Sequence, residues 1–306
     1  MKDDPKLAKR DGIRSCYTSW SQSYFDTYLG DAADYPPVHV ALIDKLLKQA
    51  EARAILDVGC GPASMMRMLH NVERDLFGFD LTPAMVDEAK IVGRETGIPE
   101  ENFWVGDATD PNSYTSGPVI PENGYDALIC SGVLPHIDDE ETTPLFQNLR
   151  NTVKPGGLVI VEARNQLFSL FSLNRYSRDF FLNDLIRADE LKASAEKSSD
   201  DPSKVLTAVE QLFKNEQPPL RTGDNNALGY DEITSNTHNP LLLKPFFEGL
   251  GFREVFLDFY HFHPLPPMFE PEFPDLFRQL SLQMEHSRDW RGYFMASAFL
   301  ISGIRE

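Results

Sequence analysis

Residues 54–63 read AILDVGCGPA. An apolar run of strand type ends in Asp57, and Gly59 and Gly61 follow in alternation. A strand that closes in a glycine turn brings backbone close to a ligand, and the residues beside the turn select which ligand is welcome. The pyrophosphate fingerprint G-x-G-x-x-G asks for a third glycine, and Ser64 stands in its place. Asp57 would repel a diphosphate and attract a cation. Asp80, at the end of the next apolar run, would hydrogen-bond a ribose diol in either case and so does not discriminate.

Working outward, short apolar runs recur at 54–58, 75–80, 102–106, 125–130 and 157–163, separated by helical patterns at 63–71, 83–95 and 142–153. Alternation of this kind predicts a mostly parallel sheet covered on both faces. Upstream, residues 15–50 read as helices, with Tyr17, Trp20, Tyr24, Phe25 and Tyr28 close to one helical stripe. Between 166 and 240 the scheme breaks into amphipathic pieces divided by polar stretches. It resumes with a helix ending at glycine near 251, a sixth strand over 253–262, a helix over 274–287 and a last strand over 293–304.

Acids outnumber bases 47 to 29 in 306 residues, a formal charge of −18. Such a surface repels phosphate backbones, no Lys/Arg run offsets it, and no nucleic-acid partner is expected. No apolar stretch approaches the roughly 20 residues that span a bilayer, so no membrane partner is expected either. Cys16, Cys60 and Cys130 make no CxxC pair or zinc-like cluster, which fits a reducing cytoplasm and no metal. The opening MKDDPKLAKR lacks the apolar core of a secretion signal.

LDVGCGPA at 56–63, GFDLTPAMVDEAK at 78–90, VGDATD at 105–110, YDALICSGVLPHI at 125–137 and KPGGLVIVEAR at 154–164 together resemble the class I S-adenosylmethionine-dependent methyltransferases. The resemblance covers about 54–165 and 241–304; Ala63 stands where many members have glycine. It implies an α/β fold: a seven-stranded Rossmann-like sheet with its last strand antiparallel, N-terminal helices, and a helical cap inserted after strand five. The corresponding division is 1–53 as a lid segment, 54–165 with 241–306 as the cofactor-binding core, and 166–240 as a substrate-binding cap. The cofactor implied is S-adenosyl-L-methionine, whose ammonium and sulfonium and lack of phosphate agree with Asp57. By position, Asp57, Gly59 and Gly61 resemble the residues that hold its methionine part. Asp80 resembles the ribose acid, with Leu81 and Met85 flanking the adenine. Asp107 resembles the acceptor for the adenine amine, Ala108 a backbone amide beside it, and Ser131 a residue on the methyl-transfer edge.

Methyl transfer is an in-line displacement, and a hydroxyl acceptor gains from a general base. His136, beyond strand four, has the ordinary pKa for that task; local packing is its bland alternative. Arg164 and Asn165 end strand five, where open α/β sheets place ligands, and Arg164 suits a carboxylate or phosphate unless an acid of the chain pairs with it. His261 and His263 fall on one face of a regular strand, a spacing that offers two nitrogens but no third ligand. Tyr17 and Tyr24 are candidates to cover the cofactor. Phe168, Phe171, Arg175, Tyr176, Tyr230 and His238 are candidates to shape a pocket under the cap.

The reading is an enzyme that methylates oxygen or nitrogen of a small polar metabolite such as a sugar, nucleotide-sugar or secondary metabolite. A protein side-chain methyltransferase, an inactive cofactor-binding partner subunit and a NAD-dependent dehydrogenase stay open as alternatives, as does a homodimer.

Overall fold

The computed structural model describes residues 5–21, 23–29, 35–117, 120–122, 124–185, 188–189, 207, 211, 213, 219–223, 227–272 and 274–306. Most of the stretch 186–218 lies outside them, including the polar EKSSDDPS and all but residues 207, 211 and 213 of the amphipathic piece VLTAVEQLF, as does the side chain of Tyr28.

Strand β1 (Ala54–Val58) sits at the middle of the sheet. Its residues Ile55, Leu56 and Val58 are buried, as a strand covered on both faces requires. Parallel neighbours flank it: β2 (Asp75–Asp80) on one side and β4 (Tyr125–Cys130) on the other. Beyond them run β3 (Phe103–Val105) and β5 (Val153–Arg164), also parallel. The full order is β3-β2-β1-β4-β5-β7-β6, with β6 spanning Phe252–Phe262 and β7 Ala296–Arg305. The last strand is antiparallel, as the resemblance implies. The order reverses beside β1, so the carboxyl ends of β1 and β4 frame the crevice where such sheets take ligands.

Helix α1 (Pro5–Trp20) starts ten residues before the first helical pattern expected from the sequence, and it stops before α2 (Tyr24–Tyr28). Pro5 occupies the first helical position, where its missing N–H matters least. Helices α3 (Val38–Gln49), α4 (Ser64–Leu69), α5 (Pro83–Thr96) and α6 (Asp139–Thr152) complete the first half. Three acids in the first turn of α6 favour the helix dipole.

By its internal contacts the chain forms two units: Met1–Arg164 with Arg221–Asp258 and Phe299–Glu306, and Asn165–Leu220 with Phe259–Ala298. In the second, the run LFSLFSLNRYSRDFF is not one helix. α7 (Phe168–Ser172) ends at Leu173, which takes a left-handed φ of 52°. Asn174 then caps α8 (Arg175–Asp179), its side chain accepting from Tyr176 N.

Candidate active site

A cavity of about 900 Å³, its open mouth included, lies in the first unit at the carboxyl ends of β1, β2 and β4. Gly59 and Gly61 form its floor. Gly59 has a φ of 77°, and a Cβ there would meet Val133 Cγ2 at 2.1 Å, so only glycine fits. At Gly61, with φ 54°, a Cβ would meet nothing within 4 Å; the space above it is open.

Asp80 shapes the next wall. Its two oxygens accept from Gly61 N at 2.9 Å and Thr82 N at 2.8 Å, tying the glycine turn to the start of α5. Burial pushes this carboxyl up, against the two N–H groups that favour its charge. Leu81 and Met85 line the same side, and Ala108 and Ser131 line the cavity further along.

Asp57 stands behind the floor. It is 2% exposed, and neither oxygen has a hydrogen-bond partner. Burial, with Asp80 adding to it, raises its carboxyl to about 8. Asp57 is therefore a buried acid behind the glycine turn, its carboxyl disposed to hold a proton unless a cation is seated nearby. That orphaned acid under a glycine floor, with Asp80 beside it, fits a cation-bearing nucleoside: Asp57 for the charge, Asp80 for the ribose, Leu81 and Met85 for the base.

Asp107 is already engaged. Its Oδ1 accepts from Thr109 N at 2.9 Å and Thr109 Oγ1 at 2.8 Å, and its Oδ2 receives Arg10 Nε from α1. Burial works to raise this carboxyl, but Arg10 and Thr109 outweigh it and hold it below the ordinary carboxylate value. Arg10 Nη2 also reaches Glu141 Oε1 at 3.0 Å; Lys9 pairs with Asp138 and Lys6 with Glu141. Lys6, Lys9, Arg10, Ile13 and Tyr17 share one helical face and line the cavity. Sequence reasoning missed these basic residues. It missed Glu162 as well, which accepts from Ser131 Oγ and, at 2.9 Å, from Gly132 N.

At the far end of α1, Tyr17 Oη lies 2.8 Å from His136 Nε2. His136 Nδ1 lies 2.6 Å from the Thr234 carbonyl, which can only accept, so Nδ1 carries the proton and Nε2 presents its lone pair. Burial lowers His136 to about 4, with Arg164 and Lys9 adding to the effect against the Thr234 carbonyl. Burial raises Tyr17, so its hydroxyl keeps its proton and donates. Tyr17, Tyr24 and His136 all line the cavity.

The remaining expected residues are placed elsewhere. Arg164 and Tyr230 belong to the first unit, stacked on one another 4.7 Å apart. His238 donates its backbone N–H to Arg164 O at 2.7 Å, and burial lowers its ring to about 4. Asn165 is a structural bracket, which corrects its assignment to substrate. It is 2% exposed, and its Nδ2 donates to the carbonyls of Gly292, Tyr293 and Ala296. Its Oδ1 accepts from Leu167 N. In the second unit Phe168 packs on His263 at 4.7 Å and on Phe171 at 6.2 Å, and Arg175 stacks on its neighbour Tyr176. His261 takes a left-handed φ of 55°, outside regular strand geometry, and its ring adds to burial in lowering His263 to about 4. Among the described residues no group of three His, Cys, Asp or Glu could hold a metal, and no helix is long and apolar enough to cross a membrane.

Residues 55–157 match a family model described as a methyltransferase domain. The ubiquinone biosynthesis O-methyltransferase of Proteus mirabilis (strain HI4320) is 24% identical over 198 residues, covering 65% of this chain and 73% of that protein. Its counterpart in Xanthomonas axonopodis pv. citri (strain 306) is 26% identical over 137 residues, 45% of this chain; the match spans 53%, about half, of that relative's length. Among solved structures, magnesium protoporphyrin IX methyltransferase (ChlM) from Synechocystis PCC 6803 with bound SAH superposes with a TM-score of 0.51 at 14% identity, covering 98% of this chain and 100% of that one. The DhpI–SAH complex gives 0.52 at 14% identity, with 97% of each chain covered. At this identity the two structures show a shared fold.

Proposed function

From the premise that the chain carries a class I S-adenosylmethionine-dependent methyltransferase domain, we propose that it methylates a hydroxyl oxygen of a small polar molecule. The reading rests on one observation: a neutral histidine with its free nitrogen 2.8 Å from a tyrosine hydroxyl at the cavity wall. The O-methyltransferase names of the curated relatives agree with it. S-adenosylmethionine supplies a methyl group already activated on a sulfonium, so the protein has to hold, orient and deprotonate.

The glycine floor, Asp57, Asp80 and the α5 start would hold the cofactor. Tyr17 and His136 handle the proton. As the acceptor oxygen forms its bond to carbon, its proton passes to Tyr17 Oη, and the Tyr17 proton passes to His136 Nε2. Nδ1–H stays on the Thr234 carbonyl, which keeps the ring oriented and stabilises the imidazolium that results. An amine acceptor would need neither group.

The test is methyl transfer across paired hydroxyl and amine acceptors. His136→Ala is expected to slow hydroxyl methylation by about 10²–10⁴. Tyr17→Phe is expected to give a smaller loss, because a water can replace its hydroxyl. A His136→Ala enzyme as fast as the parent on hydroxyls would sink the reading.

A further inference from the structure

Arg164 ends β5, and no carboxylate among the described residues pairs with it. Its hydrogen bond to Ser235 Oγ is long, 3.4 Å. In the same unit Arg10, Arg74 and Arg221 each meet an acid. In a chain of formal charge −18, a half-buried guanidinium without one stands out.

Its support is aromatic. The Arg164 guanidinium carbon lies 4.7 Å from the centroid of Tyr230, a ring only 5% exposed. Trp20 stacks on that ring at 6.2 Å with planes 4° apart. Arg221 also stacks on it, at 4.4 Å, but Asp231 neutralises Arg221 through two hydrogen bonds of 2.9 and 3.2 Å. His136 meets Tyr230 edge-on at 5.9 Å. One fixed ring thus carries an unneutralised, planar cation and touches the base.

We propose that Arg164, held on Tyr230, recognises the acceptor through an anionic group, and that the acceptor is a hydroxylated carboxylic acid. The proposal rests on the hydroxyl reading above. A carboxylate fits better than a phosphate: one free positive charge matches one negative charge, and the planar guanidinium pairs two oxygens at once. A dianion would bring an unbalanced charge into an acidic protein. The pairing also serves the chemistry. His136 faces Arg164, Lys9, Tyr17, Tyr230 and the Thr234 carbonyl. Lys9 is already paired with Asp138. After burial, the Arg164 charge is the leading influence that disfavours a proton on His136, and a seated carboxylate cancels it. The base therefore strengthens when the acceptor is in place.

The probes are benzoate, its neutral counterpart benzamide, and phenyl phosphate, titrated by calorimetry into the full chain loaded with S-adenosylhomocysteine. Benzoate is expected to bind at least about 10-fold more tightly than benzamide, and to lose about 10-fold or more in Arg164→Gln, with Arg164→Lys between the two. Equal binding of benzoate and benzamide to the parent protein overturns the proposal, and so does unchanged benzoate affinity in a folded Arg164→Gln. Tighter binding of phenyl phosphate than of benzoate overturns the carboxylate assignment. The comparison of probes on the parent needs no variant, so a folding defect in Arg164→Gln leaves it decisive. Loss of the hydroxyl reading shows as methyl transfer independent of His136 with benzoate binding intact, a different result from loss of the anion site.

Discussion

The cavity has two walls built in opposite ways. The floor is backbone: Gly59, Gly61 and Thr82, held by Asp80 through N–H groups 19 and 2 residues away in sequence. The facing wall is side chain: Lys6, Lys9 and Arg10 of α1, held by acids more than 90 residues away. The floor is fixed by local geometry and buried charge, which salt hardly reaches. The α1 wall is fixed by partly exposed ion pairs, which salt screens. One wall is a fixture of the fold and the other is attached to it.

The largest expected effect concerns the floor. Asp57 has an ordinary value of 3.8 and about 8 when folded. Between those values the folded state binds a proton that the unfolded state does not, so rising pH removes stability by about 1.4 kcal/mol per unit, several kcal/mol over the window. Asp57→Asn, without cofactor, is expected to gain on the parent in urea midpoint steadily from pH 5 to pH 8. Parallel curves for the two proteins would show that Asp57 ionises freely. Next, Asp80→Ala removes a charge-assisted hydrogen bond of roughly 1.5–3 kcal/mol and is expected to weaken cofactor binding about 10- to 100-fold, at low and high salt alike. Unchanged affinity would take the ribose role from Asp80. The smallest effect belongs to α1. Arg10→Met is expected to weaken cofactor binding by a few-fold, in line with about 1 kcal/mol for a partly exposed pair. The parent should lose affinity between 0.05 and 0.5 M NaCl while Arg10→Met loses less. Identical salt slopes would erase the distinction between the walls.

The same contrast decides what was legible in the sequence. Strands β1, β2 and β4 announce themselves as apolar runs because burial on both faces leaves few polar positions, and the glycine turn is read within ten residues. Cofactor chemistry follows from that turn. The N-terminal wall was not legible, because Lys6, Lys9 and Arg10 look like a solvated charge run until Asp107, Asp138 and Glu141 are brought opposite them. Asn165 looked like a cleft residue for a related reason. Its position after β5 is readable, but its three carbonyl partners lie more than 120 residues on. At His261 the backbone departs from the regular strand that the sequence suggests, because a left-handed residue inside a strand leaves no mark in side-chain alternation. His136 was legible as a candidate base, but the carbonyl of Thr234 that fixes its tautomer was not.

Helix α1 also carries Tyr17, the hydroxyl nearest the imidazole. On the proposed reading, that one helix would both line the cofactor cavity and supply the hydroxyl of the proton relay. Clipping the first twenty residues by protease, or burying them under a bulky fusion tag, would disable both at once, while the scaffold beneath could go on folding around an inert crevice.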